Sequence, residues 1–306
     1  MRILVLGAGA GGGLPQWNCN CANCRSARDA NGAVAPRTQS SLAVSADGEH
    51  WFLLNASPDL RQQIAMNAAL HPRKSLRDSP IAGVVLTNAD VDHVTGLLTL
   101  REQQPLSLYA TPRVRGVIRA NAIFNVLNPA LARWNDLKLE QEIALQPPDG
   151  SDSGLRVTPF AVPGKVALWL EDPALAAFGS VDEDTIGLKV SCGAKSFFYT
   201  PGCATLPPAL AARLSGAELV FFDGTTYTDD EMIVLGLGEK TGKRMGHMSM
   251  DGEDGSIAAF APLGVKRKIF IHINNSNPVW RPDAPERAAV RAAGWEIADD
   301  GMEIAL

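Results

Sequence analysis

Cationic blocks, long apolar runs and an even set of cysteines are all missing from this sequence, and each absence removes a class of function. Lys and Arg number 28 against 33 Asp and Glu, with no basic cluster to neutralise phosphates, so nucleic acid is not expected as a partner. The longest uncharged apolar stretches, such as Ile3 to Leu14, fall far short of the roughly 20 residues that span a bilayer, so no membrane span is expected. The same start carries one arginine and then glycines, without a cleavable small-residue pattern after a long apolar core; no signal peptide is read, and the expected location is cytoplasmic. Five cysteines, an odd number with three crowded within six positions, do not make a disulfide framework, and in a reducing compartment such a cluster suits a metal. Only five histidines are present, so their placement is informative. At 306 residues with an ordinary 46% apolar share, one domain over residues 1–306 is expected.

The stretch around which the chain is organised runs from Val84 to Gly96. A β-branched apolar run, Val84 to Thr87, reads as a buried strand, and a helix is expected from Val94 to Leu100. Between them Asp90, Asp92 and His93 collect at a strand's C-terminal edge, where open α/β layouts bind ligands. Asp92 and His93 can turn a carboxylate oxygen and an imidazole nitrogen toward one cation, or Asp92 can serve a helix N-terminus. Both readings satisfy the residues alone.

Elsewhere, Arg2 to Gly7 reads as a strand leading into Gly7-Ala8-Gly9-Ala10-Gly11-Gly12-Gly13. This contains a G-x-G-x-x-G match, but Leu14-Pro15-Gln16-Trp17-Asn18 follows where a dinucleotide-binding turn needs a helix, so that reading is set aside. Ser41 to Ser45 and Trp51 to Asn55 flank Asp47-Gly48 as a hairpin. Helical spacing is read over Leu60 to Ala69, Arg113 to Leu127, Leu206 to Leu214, Ser256 to Ala261 and Pro285 to Ala293. Further strands are read at Leu106 to Ala110, Leu155 to Val162, Ile186 to Cys192, Ser196 to Thr200, Leu219 to Asp223 and Lys268 to Ile273. Hairpins followed by strand–helix alternation, in both halves, predict two sheets face to face with helices outside, a four-layer αββα sandwich of the α/β class. Gly236 to Gly255, without a periodic pattern, reads as a binding loop or lid.

Cys19, Cys21 and Cys24 form a C-x-C-x-x-C spacing in an Asn-rich loop, poor core material but suited to turning three sulfurs onto one tetrahedral zinc. Cys192 lies within an apolar strand and reads as core; Cys203, just past a strand's end, suits a site better. His272 ends an apolar strand, as either a satisfied core imidazole or a ligand. His247, in the long loop, is either solvated or an acid–base group. His50 and His71 read as surface residues.

Taken together these residues resemble the metallo-β-lactamase superfamily, whose αββα sandwich carries a strand-end H-x-H-x-D-H motif. Asn88-Ala89-Asp90-Val91-Asp92-His93 keeps its last two letters. Over essentially the whole chain the sequence resembles the pyrroloquinoline quinone biosynthesis protein B family, through the segments Gly9 to Cys21, Thr87 to His93 and His272 to Pro278. The related phosphonate-pathway cyclic phosphodiesterases share the thiol spacing, which holds structural zinc there; their later histidine ligand aligns with Asn275. The dinuclear site of the hydrolases is implied to be lost, since its ligand positions fall on Asn88, Asp90, Pro163 and, near the bridging aspartate, Gly202-Cys203.

The resemblance leaves one active-site metal held by Asp92, His93 and His272, the two-histidine, one-carboxylate set of non-haem Fe(II) oxygenases. Asp90 is expected as an outer acceptor or weaker ligand, with Cys203 and His247 bordering the open positions and His247 as the proton carrier. The implied activity is Fe(II)- and O₂-dependent hydroxylation of the tyrosine-derived ring of the Glu–Tyr precursor of pyrroloquinoline quinone (PQQ). The alternatives are a soluble carrier aiding transport of PQQ or its precursor to the periplasm, and a zinc hydrolase. The expected cofactors are Fe²⁺ or another divalent ion in the active site and a structural Zn²⁺. The expected partners are the small-molecule precursor or PQQ and a second copy of the chain in a homodimer.

Overall fold

The computed structural model describes residues 1–170 and 183–306. Its strands are β1 (Arg2–Gly7), β2 (Ser41–Ser45), β3 (Trp51–Leu54), β4 (Ile81–Val85), β5 (Leu106–Ala110), β6 (Ala132–Asp136), β7 (Ile143–Ala144), β8 (Arg156–Ala161), β9 (Ile186–Cys192), β10 (Lys195–Thr200), β11 (Val220–Asp223), β12 (Lys268–Ile271), β13 (Trp295–Ile297) and β14 (Glu303–Ala305). They form two mixed sheets, ordered β14-β1-β2-β3-β4-β5-β6 and β13-β12-β11-β10-β9-β8-β7. In each sheet an antiparallel half gives way to a parallel half, β3 to β6 in the first and β10 to β13 in the second.

Side-chain alternation separates the layers. Ile3, Val5, Leu42, Val44, Phe52 and Leu54 join the core shared with the second sheet, whereas Leu4, Leu6, Ala43, Trp51 and Leu53 join a second core. Successive side chains of a strand point to opposite faces, so a strand buried on both sides reads as a continuous apolar run. The helices are α1 (Ala22–Arg28), α2 (Leu60–Met66), α3 (Val91–Val94), α4 (Pro112–Ala120), α5 (Pro208–Leu214), α6 (Glu231–Val234), α7 (Ser256–Phe260) and α8 (Pro285–Ala292). Leu60, Val94, Val114 and Ile118, from α2 to α4, cover the outer face of the first sheet. On the second sheet Trp295 stacks on Phe270 at 3.9 Å between ring centroids and meets Phe260 of α7 edge-on. The four-layer αββα expectation is therefore borne out.

Two helices stop short of the expected spans for one reason. At Asn67 and Asn121 the side-chain amide donates to the carbonyl four residues back, Gln63 O at 2.7 Å and Val117 O at 2.8 Å. Each side chain takes the acceptor that its own backbone N–H needs to continue an α-helix. The chain then tightens into 3₁₀ turns at Ala68–Leu70 and Ala122–Val126. Strands β6, β7, β13 and β14 escape the sequence reading because they are short or lie at sheet edges with mixed polar content. No helix among the described residues is long and apolar enough to cross a membrane.

Candidate metal centre

The candidate site gathers at the C-terminal ends of β4, β11 and β12, which bring the two sheets' loops together. Past β4, Thr87 is pinned on both sides. Its N–H donates to Asn55 Oδ1 at 2.9 Å, and its carbonyl accepts from Ile186 N at 2.9 Å. The helix after this turn begins at Val91, three residues before the expected start, so Asp92 and His93 occupy its first turn. Asp90, at the N-cap position, makes no side-chain capping bond. The helix lies tightly on the loop after β3, with Ala56 N–H donating to His93 O at 2.7 Å and Gly96 N–H to Ala56 O at 2.9 Å. Any side chain at Gly96 would collide with the Ser57 and Ala56 backbone, so glycine is required for this approach.

His93 and His272 are 2% and 5% exposed, and Asp92 lies between them. Asp92 Oδ2 is 3.0 Å from His272 Nε2 and 3.7 Å from His93 Nε2. An ion about 2.0–2.2 Å from each ligand atom sets neighbouring ligands roughly 2.8–3.8 Å apart at angles of about 90–120°, so these separations suit one shared cation. The sharper observation is at His93. Asn88 Oδ1 lies 2.7 Å from His93 Nδ1, which assigns the proton to Nδ1. Nε2 is left as a buried lone pair with no hydrogen-bond partner among the described residues, 3.7 Å from the Asp92 carboxylate. A buried polar atom without a partner costs about 1–3 kcal/mol, and a bound cation would remove that cost. His272 reaches the site from a left-handed backbone position, φ 60°, uncommon for a non-glycine residue and concentrated at functional sites.

Electrostatics fit the same arrangement. Burial pushes His93 down to about 4, against the pull of Asp92. Burial also opposes the charge of Asp92, but the His93 and His272 imidazoles outweigh it and hold the carboxyl well below its ordinary range. At His272 burial favours the neutral ring, yet the bond to Asp92 prevails and raises its basicity, with Asp90 adding a smaller push the same way.

Behind His272 lies a second cluster, Asp223, His247 and His272, whose ligand-type atoms fall within 4.8 Å of one another. Asp223, fully buried at the end of β11, is 2.7 Å from His247 Nδ1 through Oδ2 and accepts the Cys203 N–H at 2.9 Å on the same oxygen. The long loop thus delivers His247 as a clamped, mostly buried side chain and not a solvated one; its ring stacks on His272 with centroids 5.1 Å apart. His247 also lines a cavity of about 450 Å³ together with Thr205, Lys243, Ser249, Glu253 and Asp254. Cys203 is turned aside: its Sγ meets Thr205 O at 3.1 Å, burial pushes its thiol up, and it does not join the converging ligand atoms of Asp92, His93 and His272.

The three thiols of Cys19, Cys21 and Cys24 converge within 4.8 Å, on the N-terminus of α1 where an irregular loop was expected. The Asn275 carboxamide faces all three, with Nδ2 at 3.1, 3.7 and 3.2 Å from Cys19, Cys21 and Cys24. Rotating that amide would bring Oδ1 to the same place, beside three thiols that could hold a metal ion. Burial, reinforced by Cys21, pushes Cys24 up to about 11. Cys192, expected in the core, sits half-buried at the end of β9 and takes no part.

Comparison with known proteins places this geometry in a family. The Beta-lactamase superfamily domain matches residues 50–273. The chain is 55% identical to coenzyme PQQ synthesis protein B of Gluconacetobacter diazotrophicus, over 99% of this chain and 98% of that protein. It is 53% identical, over the full length of both, to coenzyme PQQ synthesis protein B of Bradyrhizobium diazoefficiens. The chain belongs to the coenzyme PQQ synthesis protein B family. The crystal structure of Zn²⁺-bound PqqB from Methylobacterium extorquens superposes with a TM-score of 0.95 at 50% identity, covering all of both chains. A diphosphatase from the PhnP family, at 21% identity and a TM-score of 0.68, shares the fold. In this member of the PQQ synthesis protein B family the sequence reading overlooked Asp223 and Thr225. The signal was present: Asp223 ends the apolar run Leu219 to Phe222 and is followed by Gly224-Thr225-Thr226, a polar strand-end turn like that after β4.

Proposed function

We propose that this chain acts in PQQ synthesis as a metal-dependent enzyme that hydroxylates the tyrosine-derived ring of the Glu–Tyr precursor, using Fe²⁺ and O₂. The observation that carries the reading is the buried two-histidine, one-carboxylate set with an orphaned His93 Nε2. Asp92, His93 and His272 would hold the ion, leaving other coordination positions open, and a bound iron would supply activation of O₂. The polypeptide contributes position and proton transfer. Asn88 fixes the His93 tautomer, and Asp223 holds His247 through Nδ1, which leaves His247 Nε2 to accept the proton of a phenolic substrate. The cavity beside His247 offers a cation and several carboxylates to the charged ends of an amino-acid-derived molecule. Cys19, Cys21, Cys24 and Asn275 are assigned to structural zinc, away from the reaction.

A zinc hydrolase is the second reading, favoured by the zinc in the Methylobacterium extorquens relative. Protein loaded anaerobically with Fe²⁺ and then given ¹⁸O₂, ascorbate and a tyrosyl substrate separates the two. The hydroxylase reading expects product carrying ¹⁸O from the gas. Label entering only from H₂¹⁸O would overturn it.

A further inference from the structure

One hydroxyl stands between the metal ligand and the proton carrier. Thr225 is 4% exposed, two residues past the end of β11. Its Oγ1 lies 2.7 Å from Asp223 Oδ1, 2.9 Å from His272 Nδ1, 3.0 Å from His247 Nδ1 and 3.0 Å from the His272 carbonyl oxygen. A hydroxyl has one proton and two lone pairs. Asp223 is an acceptor only, at the shortest of the four distances, so the Thr225 proton goes to Oδ1. The oxygen's lone pairs then face two imidazole nitrogens, and both can be satisfied only if His272 and His247 each carry a proton on Nδ1. Asp223 Oδ2, 2.7 Å from His247 Nδ1, demands the same tautomer.

We propose that Thr225 is a positioning residue that holds His272 and His247 together in the Nδ1–H form, so that one oxygen sets the metal ligand and the proton carrier. The proposal rests on the reading of Asp92, His93 and His272 as the metal triad. The consequence is directional. With Nδ1 protonated, His272 turns the Nε2 lone pair toward Asp92 and a shared ion, and His247 keeps Nε2 open for a substrate proton. The Thr225 backbone separately braces the left-handed turn at His272, since the Asn274 N–H donates to the Thr225 carbonyl at 2.9 Å, a bond that Thr225→Val leaves in place. Valine has the shape of threonine without the hydroxyl. In Thr225→Val the two imidazoles lose their common acceptor, and Asp223 Oδ1 keeps only the Thr225-position backbone N–H, 3.0 Å away.

Zinc titration of the metal-free chain against a competing chelator, with ¹⁵N spectra of the histidine rings, tests this. Thr225→Val should weaken the ion that His272→Ala abolishes by about 10- to 100-fold, the range for lost outer partners of a ligating histidine. Thr225→Ser should restore it to within about threefold, an outcome a purely space-filling role does not give. In the unaltered zinc-loaded protein, both rings should show the Nδ1-protonated pattern, readable because there are only five histidines. An Nε2-protonated pattern at either ring would overturn the proposal whether or not the variants fold, as would unchanged zinc affinity in folded Thr225→Val. Retention of that ion by His272→Ala would instead overturn the triad reading beneath it.

Discussion

Replacing Asp300 by asparagine should flatten the dependence of stability on pH between about 4 and 6. Asp300 lies in the turn before β14 and ties two loops beneath the site: it accepts the Ala8 N–H at 2.9 Å, the Thr38 N–H at 2.7 Å and the Thr38 hydroxyl at 2.8 Å. Burial raises its carboxyl to about 6, the three donors and the Arg37 charge offsetting part of that rise. A carboxyl group that holds its proton more tightly when folded contributes fully below the ordinary value near 3.9, and that contribution is lost as pH rises through 6. The gap between those values corresponds to about 3 kcal/mol, comparable to a large fraction of a domain's net stability. Denaturant unfolding of the two proteins at half-unit steps from pH 4 to 7 measures it. The difference in unfolding free energy, wild type minus Asp300→Asn, should fall by about 2 kcal/mol from the low end to the high end, because the unfolded carboxyl is already about half ionised at pH 4. A difference that stayed flat or rose with pH would refute burial as the controlling influence. Asparagine also turns an amide donor toward the Thr38 N–H and hydroxyl, or toward Ala8 N–H, so the variant should be less stable at pH 4 as well.

The other expectations concern the site's separable parts. His247→Ala should keep the active-site ion and lower hydroxylation about 10²- to 10⁴-fold, the range for removing a general base; an unchanged rate would remove His247 from the chemistry. Cys24→Ser should lower the metal content by one ion and reduce the melting temperature, because a structural zinc contributes on the order of 10 kcal/mol of binding energy to small sites. Metal analysis and calorimetry check it, and unchanged stoichiometry would reject the cysteine cluster as a zinc site.

What the sequence made legible follows its periodicity. β9 has the expected bounds because its apolar run ends at a Gly-Ala-Lys turn, and the hairpin of β2 and β3 was announced by Asp47-Gly48. Asp92, His93 and His272 were brought together through the resemblance to the metallo-β-lactamase superfamily, because on the residues alone His272 fits a core imidazole as well as a ligand. Asp223 and Thr225 sit in a strand-end turn that the sequence does display, but their pairing with His247 and His272 forms only once β11 lies between β10 and β12. For Cys203 the chain position was suggestive but the rotamer was not readable, and its sulfur turns to Thr205. Helix ends at Asn67 and Asn121 depended on side-chain competition for one carbonyl, which apolar spacing does not encode.

The central claim, that Asp92, His93 and His272 hold one divalent ion apart from the cysteine cluster, is tested most directly by metal counting. Elemental analysis of the wild type, His93→Ala and His272→Ala, each expressed with ample iron and limiting zinc and compared at equal folded concentration, decides it. The account predicts that each histidine variant lacks the active-site ion and keeps the cysteine-bound ion and the fold. Full metal content in either variant would contradict it.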